Sequence, residues 1–318
     1  MTARRLVSVL LSLGGLALLI WIVAGIGLDA VGRSLADVGR GLPMILILSF
    51  ARHVVRAYAW TQLMDTPVSL GPAVCAAISG DAFGNVTPLG PLASEPAKSA
   101  YLTKIVPASI SFPALAAENF IYGVSMAIYV SLGGLALVVA SAQDDSLRTT
   151  GLASLVAMAL LIAAAAVVIW LRPAAASALV ARLPHAWTGH HLDRLQRFET
   201  HTYDLVRSGL RRLVVAETSF HVLSFAESWL TLWLLTGASL PTAALVLDSV
   251  NRVINVAFKL VPLRAGVDEY AAAIVSAGVG VRPDVAIVMA LIRKVRLLTW
   301  AVVGFGIWTT RPDDRPIG

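Results

Sequence analysis

Long apolar runs separated by short polar stretches organise this chain. Eight of them, at 6–28, 42–64, 68–88, 107–138, 150–171, 213–236, 241–261 and 284–308, are dominated by Ala, Leu, Val and Ile. Several exceed the roughly 18 residues that mark a spanning helix. Two shorter apolar pieces, 89–106 and 263–279, each follow a proline motif. Only helices satisfy their own backbone hydrogen bonds in lipid, so the pattern predicts an all-α, polytopic membrane bundle.

The proline motifs are related. The sequence reads P-L-G-P-L-A-S-E from Pro88 to Glu95 and P-L-R-A-G-V-D-E from Pro262 to Glu269. A shift of 174 residues carries one onto the other, together with the apolar segments around them. Pro88, Pro91 and Pro262 break their helices, and Gly90 and Gly266 let the chain turn tightly. Ser94 and Asp268 fit N-caps for the returning half-helices. Glu95 and Glu269 fall in the first turn of those half-helices. There they either occupy the positive dipole end or carry a proton and repel a wrong anion, and spacing leaves both readings open.

Charge placement sets the path. If all eight stretches span fully, the arginine-rich connector 172–212 lands outside, against the positive-inside tendency. If 68–106 and 241–279 each dip in and return, Arg4, Arg5, Lys104, the seven connector arginines, Arg311 and Arg315 all lie inside. Only Arg33, Arg40, Arg148 and Arg282 then lie outside. The expected architecture is six full spans plus two re-entrant helical hairpins. Repeat one covers 1–140 and repeat two 150–310 of a single transmembrane domain over 1–318. The hairpins enter from opposite faces, giving inverted-topology repeats of the kind that supply alternating access. Leu192, Leu195, Phe198, Leu205 and Val206 recur at near-helical spacing in the connector and predict an amphipathic helix on the inner leaflet.

Composition narrows the classes. The chain is 57% hydrophobic and 14% charged, where a soluble domain carries charge on about a quarter of its residues, so little room remains for one. Cys75 stands alone, which excludes an internal disulfide and a cysteine zinc cluster. The net charge of +6 is accounted for by the positive-inside rule rather than by nucleic acid. The segment 6–28 follows Arg4 and Arg5 as a signal peptide would, but its length and the lack of a small-residue cleavage site predict a retained anchor. His185, His190, His191 and His201 have no carboxylate or cysteine at ligand spacing, so neither a metal nor a cofactor is expected.

Nine cations lie within the apolar segments: Arg52, Arg56, Lys98, Arg252, Lys259, Arg264, Arg293, Lys294 and Arg296. Each costs about 2.5–3.5 kcal/mol at the centre of a lipid-facing helix, so all must face the interior, water or an anion. Eight acids at depth, Asp81, Glu95, Glu118, Glu217, Glu227, Asp248, Asp268 and Glu269, neutralise most of them. Asp248, Arg252, Asn255 and Lys259 draw one polar stripe, within which Asp248 and Arg252 form an i,i+4 pair. The 174-residue shift puts Asp81 and Asn85 at the positions of Asn255 and Lys259. Arg293 and Arg296 share a face with Trp300, whereas Lys294 points elsewhere and snorkels. Arg52, Arg56, Arg293 and Arg296 have no acid one turn away, so they are expected to be uncompensated and to bind an anion. A half-helix N-terminus at depth adds free N–H groups for phosphate or carboxylate.

These motifs resemble the transmembrane, flippase-like domain of bacterial lysylphosphatidylglycerol synthases and their stand-alone relatives. The likeness covers most of the chain. It rests on G-D-A-F-G-N-V-T-P-L-G (Gly80 to Gly90) with E-P-A-K (Glu95 to Lys98), and on P-L-R-A-G-V-D-E with a basic last span around Arg293. The family's usual P-G-G-x-G-V-R-E is altered: Arg264 replaces a glycine, and Asp268 stands where arginine is usual. The resemblance implies movement of lipid between leaflets of a bacterial cytoplasmic (inner) membrane, both termini cytoplasmic, beside lipid-modifying, glycan or hopanoid pathways. It also implies no synthase activity, because the soluble aminoacyl-transferase domain has no counterpart.

The sequence reading is therefore a flippase or transporter for a phospholipid or other lipid with an anionic headgroup. The binding set is Arg52, Arg56, Asp81, Asn85, Lys98, Arg252, Asn255, Lys259, Arg264, Arg293 and Arg296. Gating or proton coupling falls to Pro88, Gly90, Glu95, Glu118, Glu227, Pro262, Gly266 and Glu269. Two alternatives stand beside it. One is a membrane transferase acting on a lipid phosphate. No D-x-D, H-E-x-x-H or serine elbow supports it, and Asp144–Asp145 and Asp313–Asp314 read as solvated loop acids, so no enzyme is expected. The other is a non-transporting anchor for a lipid-biosynthetic enzyme, docked through the basic connector.

Overall fold

A computed structural model describes residues 36, 38–87, 90–141, 144–172, 174–182, 185–258 and 266–309, and all their side chains except Pro91, Ala175, Ala176 and those of 185–191. The predicted first span and Arg4, Arg5, Arg33, Pro88, Lys259, Pro262, Arg264, Arg311 and Arg315 lie outside the described residues.

Each apolar stretch within that range is a helix, and the described elements are all helical. After a 3-10 turn at Gly39–Gly41, α1 is Leu42–Thr61, α2 Leu70–Val86, α3 Pro91–Leu102, α4 Ala108–Ala140 and α5 Asp145–Leu171. Next come α6 Ala175–Val180, α7 His185–Thr236, α8 Pro241–Ala257, α9 Val267–Ala277 and α10 Pro283–Thr309. Three are long and apolar enough to cross a membrane, Gly39–Thr61, Ala108–Ala140 and Asp145–Leu171, and Leu192–Thr236 with Pro241–Ala257 qualify together across a 120° bend. α10 has the length of a span but carries Arg293, Lys294 and Arg296 midway. The outer face of α5 leaves Val156, Leu160 and Trp170 exposed, which suits contact with lipid.

Around both proline motifs the chain forms a pair of helices of 17 residues and then 12 or 11. The first pair is an antiparallel hairpin. Ser94 reaches back to Asp81, Lys98 to the same carboxylate, and Gly84 abuts the Gly90 carbonyl. In the second, Leu247 shares a cluster with Ala272 and Val246 one with Val275, an antiparallel register again. The hairpins exchange partners. α2 packs along α10, where Phe83 meets Phe305 and Trp308 edge-on at 5.1 and 5.0 Å, and α8 packs along α4. α1 and α7 pack against each other between them.

The caps differ from the expected ones. Gly90 (φ 52°) and Gly266 (φ 82°) are the N-caps of α3 and α9, a backbone region that L side chains rarely adopt. Ser94 instead donates to Asp81 and Asp268 lies inside the first turn of α9, so neither caps. Asp144 is exposed, as expected, and is also the N-cap of α5: its Oδ1 accepts from the Ser146 and Leu147 N–H groups, both at 3.0 Å.

The connector also departs from expectation. From His185 the helix continues without a break through the apolar run to Thr236, 52 residues or about 78 Å at 1.5 Å per residue. The stretch carrying Leu192, Leu195 and Phe198 is therefore not a separate helix but continuous with the apolar run 213–236. Leu205 and Val206 turn inward. α6 folds back onto the extension, where Ser177 Oγ donates to Glu199 at 2.6 Å, and Arg172 at the end of α5 pairs with Asp204 at 3.0 Å.

Candidate functional site

A polar cavity of about 360 Å³ lies midway along the bundle, walled by α1, α2, α4, α7, α8 and α10 and by the breaks of both hairpins. α1 contributes Ser49, Arg52, His53 and Arg56, spaced three, one and three along one helical face. α2 supplies Asp81 and Asn85; the first elbow supplies Gly90, Ser94 and Glu95. α8 gives Asn251 and Asn255, and α10 gives Arg293, Lys294, Arg296 and Trp300. Asn119, Tyr122 and Phe220 close the wall, and Asp268 marks the second hairpin.

Most of the cations are compensated, which corrects the expectation of free guanidinium groups. Their partners lie on other helices, where spacing along one segment could not reveal them. Arg56 makes a bidentate pair with Glu118, Nε to Oε1 at 2.7 Å and Nη2 to Oε2 at 2.9 Å, and Nη2 also donates to Asn119 Oδ1 at 3.2 Å. Glu227 is shared by Arg52 at 2.9 Å and Arg296 at 2.6 Å. Lys98 sits between Asp81 at 2.9 Å and Glu95 at 3.0 Å. Lys294 is 3% exposed and pairs with Glu269, with Asp268 at 4.0 Å, so it is buried and does not snorkel. Arg293 differs. Its Nη1 donates to the Leu247 carbonyl at 3.4 Å and its Nη2 approaches Met289 Sδ at 3.8 Å. Among the described residues it has no carboxylate within 4.0 Å.

Among the described residues, cations therefore exceed acids on the α1–α7–α10 side, and acids exceed cations at the hairpin ends. Aromatic faces support the basic side: Arg52 lies over Phe220 at 4.6 Å and Arg56 over Tyr122 at 4.7 Å.

Several predicted residues stand behind the wall. Arg252 is buried, pairs with Asp248 at 3.2 Å and lies over Tyr129 at 4.3 Å. Ser224 and Ser228 donate to the same Asp248, so the upper half of the predicted stripe is a packing network; Asn255 of the stripe faces the cavity, with Asn251 beside it. Lys98, Glu118 and Glu227 are buried counter-ions, not lining groups. Glu269 takes the positive end of α9 in person, accepting the Gly266 N–H at 2.9 Å. Glu95 does not cap α3, and among the described residues its Oε2 is buried without a hydrogen-bond partner. Glu217, given no role by spacing, is fully buried beside Glu118.

Sequence reasoning missed His53, Asn119, Tyr122, Asn251 and Phe220. Two had a legible signal: His53 shares a face with Ser49 and Arg56, and Asn251 lies one turn from Asn255. Uncommitted hydrogen-bonding groups remain, among them Asn255 Oδ1 and Trp300 Nε1, both buried and without a partner among the described residues. Among the described residues no group of three or more His, Cys, Asp or Glu could hold a metal ion.

Apolar helices enclosing a charged cavity and two helix breaks define a multi-pass membrane protein. The chain belongs to the family described as the lysylphosphatidylglycerol synthase TM region, whose model matches residues 5–306. That family links it to lipid metabolism. No curated protein and no solved structure matches the chain.

Proposed function

We propose that this protein moves a lipid with an anionic headgroup between leaflets, its acyl tails left in the bilayer. The cavity carries this reading. It is polar, lies midway along helices with apolar outer faces, and holds in Arg293 a cation with no carboxylate partner among the described residues. A phosphate placed there meets Arg293 directly, with Arg52 and Arg296 sharing a single acid beside it. Asn251, Asn255 and Trp300 offer neutral contacts around it.

The architecture we assign is six full spans plus two re-entrant hairpins with inverted topology, in a bacterial inner membrane with cytoplasmic termini. Matching helix lengths and the exchange of hairpins between halves support it. Rocking of the hairpins against α4 and α10 opens the cavity alternately. Of the acids named for proton coupling, Glu95 fits best, because it lines the cavity with an oxygen uncommitted, while Glu118, Glu227 and Glu269 are engaged. We assign transport rather than transferase chemistry.

Proteoliposomes with a fluorescent anionic phospholipid test the reading. Arg293→Ala is expected to slow translocation about 10- to 100-fold, the loss of one charge-assisted contact. Wild-type rates in this variant would remove the basic-cavity mechanism.

A second reading, an anchor for a lipid-biosynthetic enzyme, is favoured by the overhang of α7. A helix of about 78 Å exceeds a 30 Å hydrocarbon core and exposes Arg194, Arg197 and Arg207. Deleting 185–205 with lipid movement intact would separate docking from transport.

A further inference from the structure

On the outer flank of the bundle a groove of about 530 Å³ runs along the seam of α1 and α7. On α1 it is lined by Val54 and Tyr58, which at 100° per residue lie roughly opposite the face that carries Arg52 and Arg56 into the cavity, and by Val55 on the flank between. Leu70, Val215 and Ala216 complete apolar walls. One end carries Arg211 and Arg212, where the apolar run of α7 begins, and exposed Tyr58 stands with them. Arginine and tyrosine at the start of an apolar run mark the headgroup level of a bilayer. From there to Ser219, at the other end, the helix advances about 11 Å, into the hydrocarbon. Arg212 donates to the Gln62 carbonyl at 3.4 Å, and among the described residues neither arginine pairs with a carboxylate.

We propose that this groove is a second lipid site, separate from the cavity, that seats an acyl chain of an anionic phospholipid along the α1–α7 seam and holds its phosphate at Arg211 and Arg212. The walls lie within apolar stretches, so the occupant is a lipid rather than a soluble partner. Two adjacent guanidinium groups with no carboxylate partner among the described residues select a phosphodiester that bears net negative charge over a zwitterion. Each cation near the surface strengthens such binding about fivefold.

Native mass spectrometry of the full-length protein, titrated with dioleoyl phosphatidylglycerol or dioleoyl phosphatidylcholine, tests this. Wild type is expected to retain one phosphatidylglycerol that phosphatidylcholine does not replace. The double variant Arg211→Ala/Arg212→Ala should bind it roughly tenfold more weakly or worse. Arg194→Ala/Arg197→Ala, which removes the same charge elsewhere on α7, should not. Val215→Trp, at a position 61% exposed and so free of core strain, should block the groove with both arginines present. The loss should persist in an Arg293→Ala background, which separates this site from the transport reading. Equal retention of the two lipids, equal loss in the two double variants, or wild-type binding by Val215→Trp would each overturn the proposal. The wild-type comparison stands even if a variant fails to fold.

Discussion

Arg56 and Arg293 both sit midway along apolar helices, yet their surroundings assign them different work. Arg56 is locked to fully buried Glu118 by two hydrogen bonds. Removing one partner of such a pair strands a charge away from water, so Glu118→Ala should lower stability by about 3–5 kcal/mol in thermal unfolding, and Arg56→Met with Glu118→Leu should restore most of it. Arg293 touches only neutral groups among the described residues. Arg293→Ala should therefore leave the melting temperature close to wild type while transport falls; a large loss of stability would make it a structural residue. The presence of ionisable groups at depth was legible in the sequence, and so was the Asp248–Arg252 pair, because helical spacing is local. The partners of Arg52, Arg56 and Arg296 were not, because Glu118 and Glu227 come from helices 62 to 175 residues away along the chain.

At the scale of elements, the apolar runs gave helices with boundaries a few residues off, because a run long enough to bury a face in lipid has few other solutions. The hairpin turns were legible from proline and glycine, but their caps were not: Ser94 has a stronger acceptor in Asp81 than in its own backbone. Close approach sets the first hairpin. A Cβ on Gly84 would stand 2.8 Å from Ser94 Cβ and 3.1 Å from the Gly90 carbonyl oxygen. Gly84→Ala should accordingly push α2 and α3 apart at a cost of about 1–3 kcal/mol, read in thermal unfolding, and wild-type stability would show that the elbow yields. The length of α7 was not legible, because an amphipathic stretch followed by an apolar one reads the same whether the helix bends between them or runs straight.

At the scale of the whole molecule, the proposed inverted topology makes a prediction about sidedness. In a Cys75→Ser background, Thr103→Cys after the first hairpin and Arg282→Cys after the second should be labelled by an impermeant maleimide from opposite faces of the membrane. Labelling from the same face would exclude the arrangement. The reciprocal packing of α2 on α10 and of α8 on α4 bears on how such a chain becomes a protein at all. Neither half should be a folding unit alone, since α8 covers α4 and α2 covers α10. Severed near residue 143, between α4 and α5, and made alone, each fragment should be degraded; made together, the two should find one another and complete a single working whole.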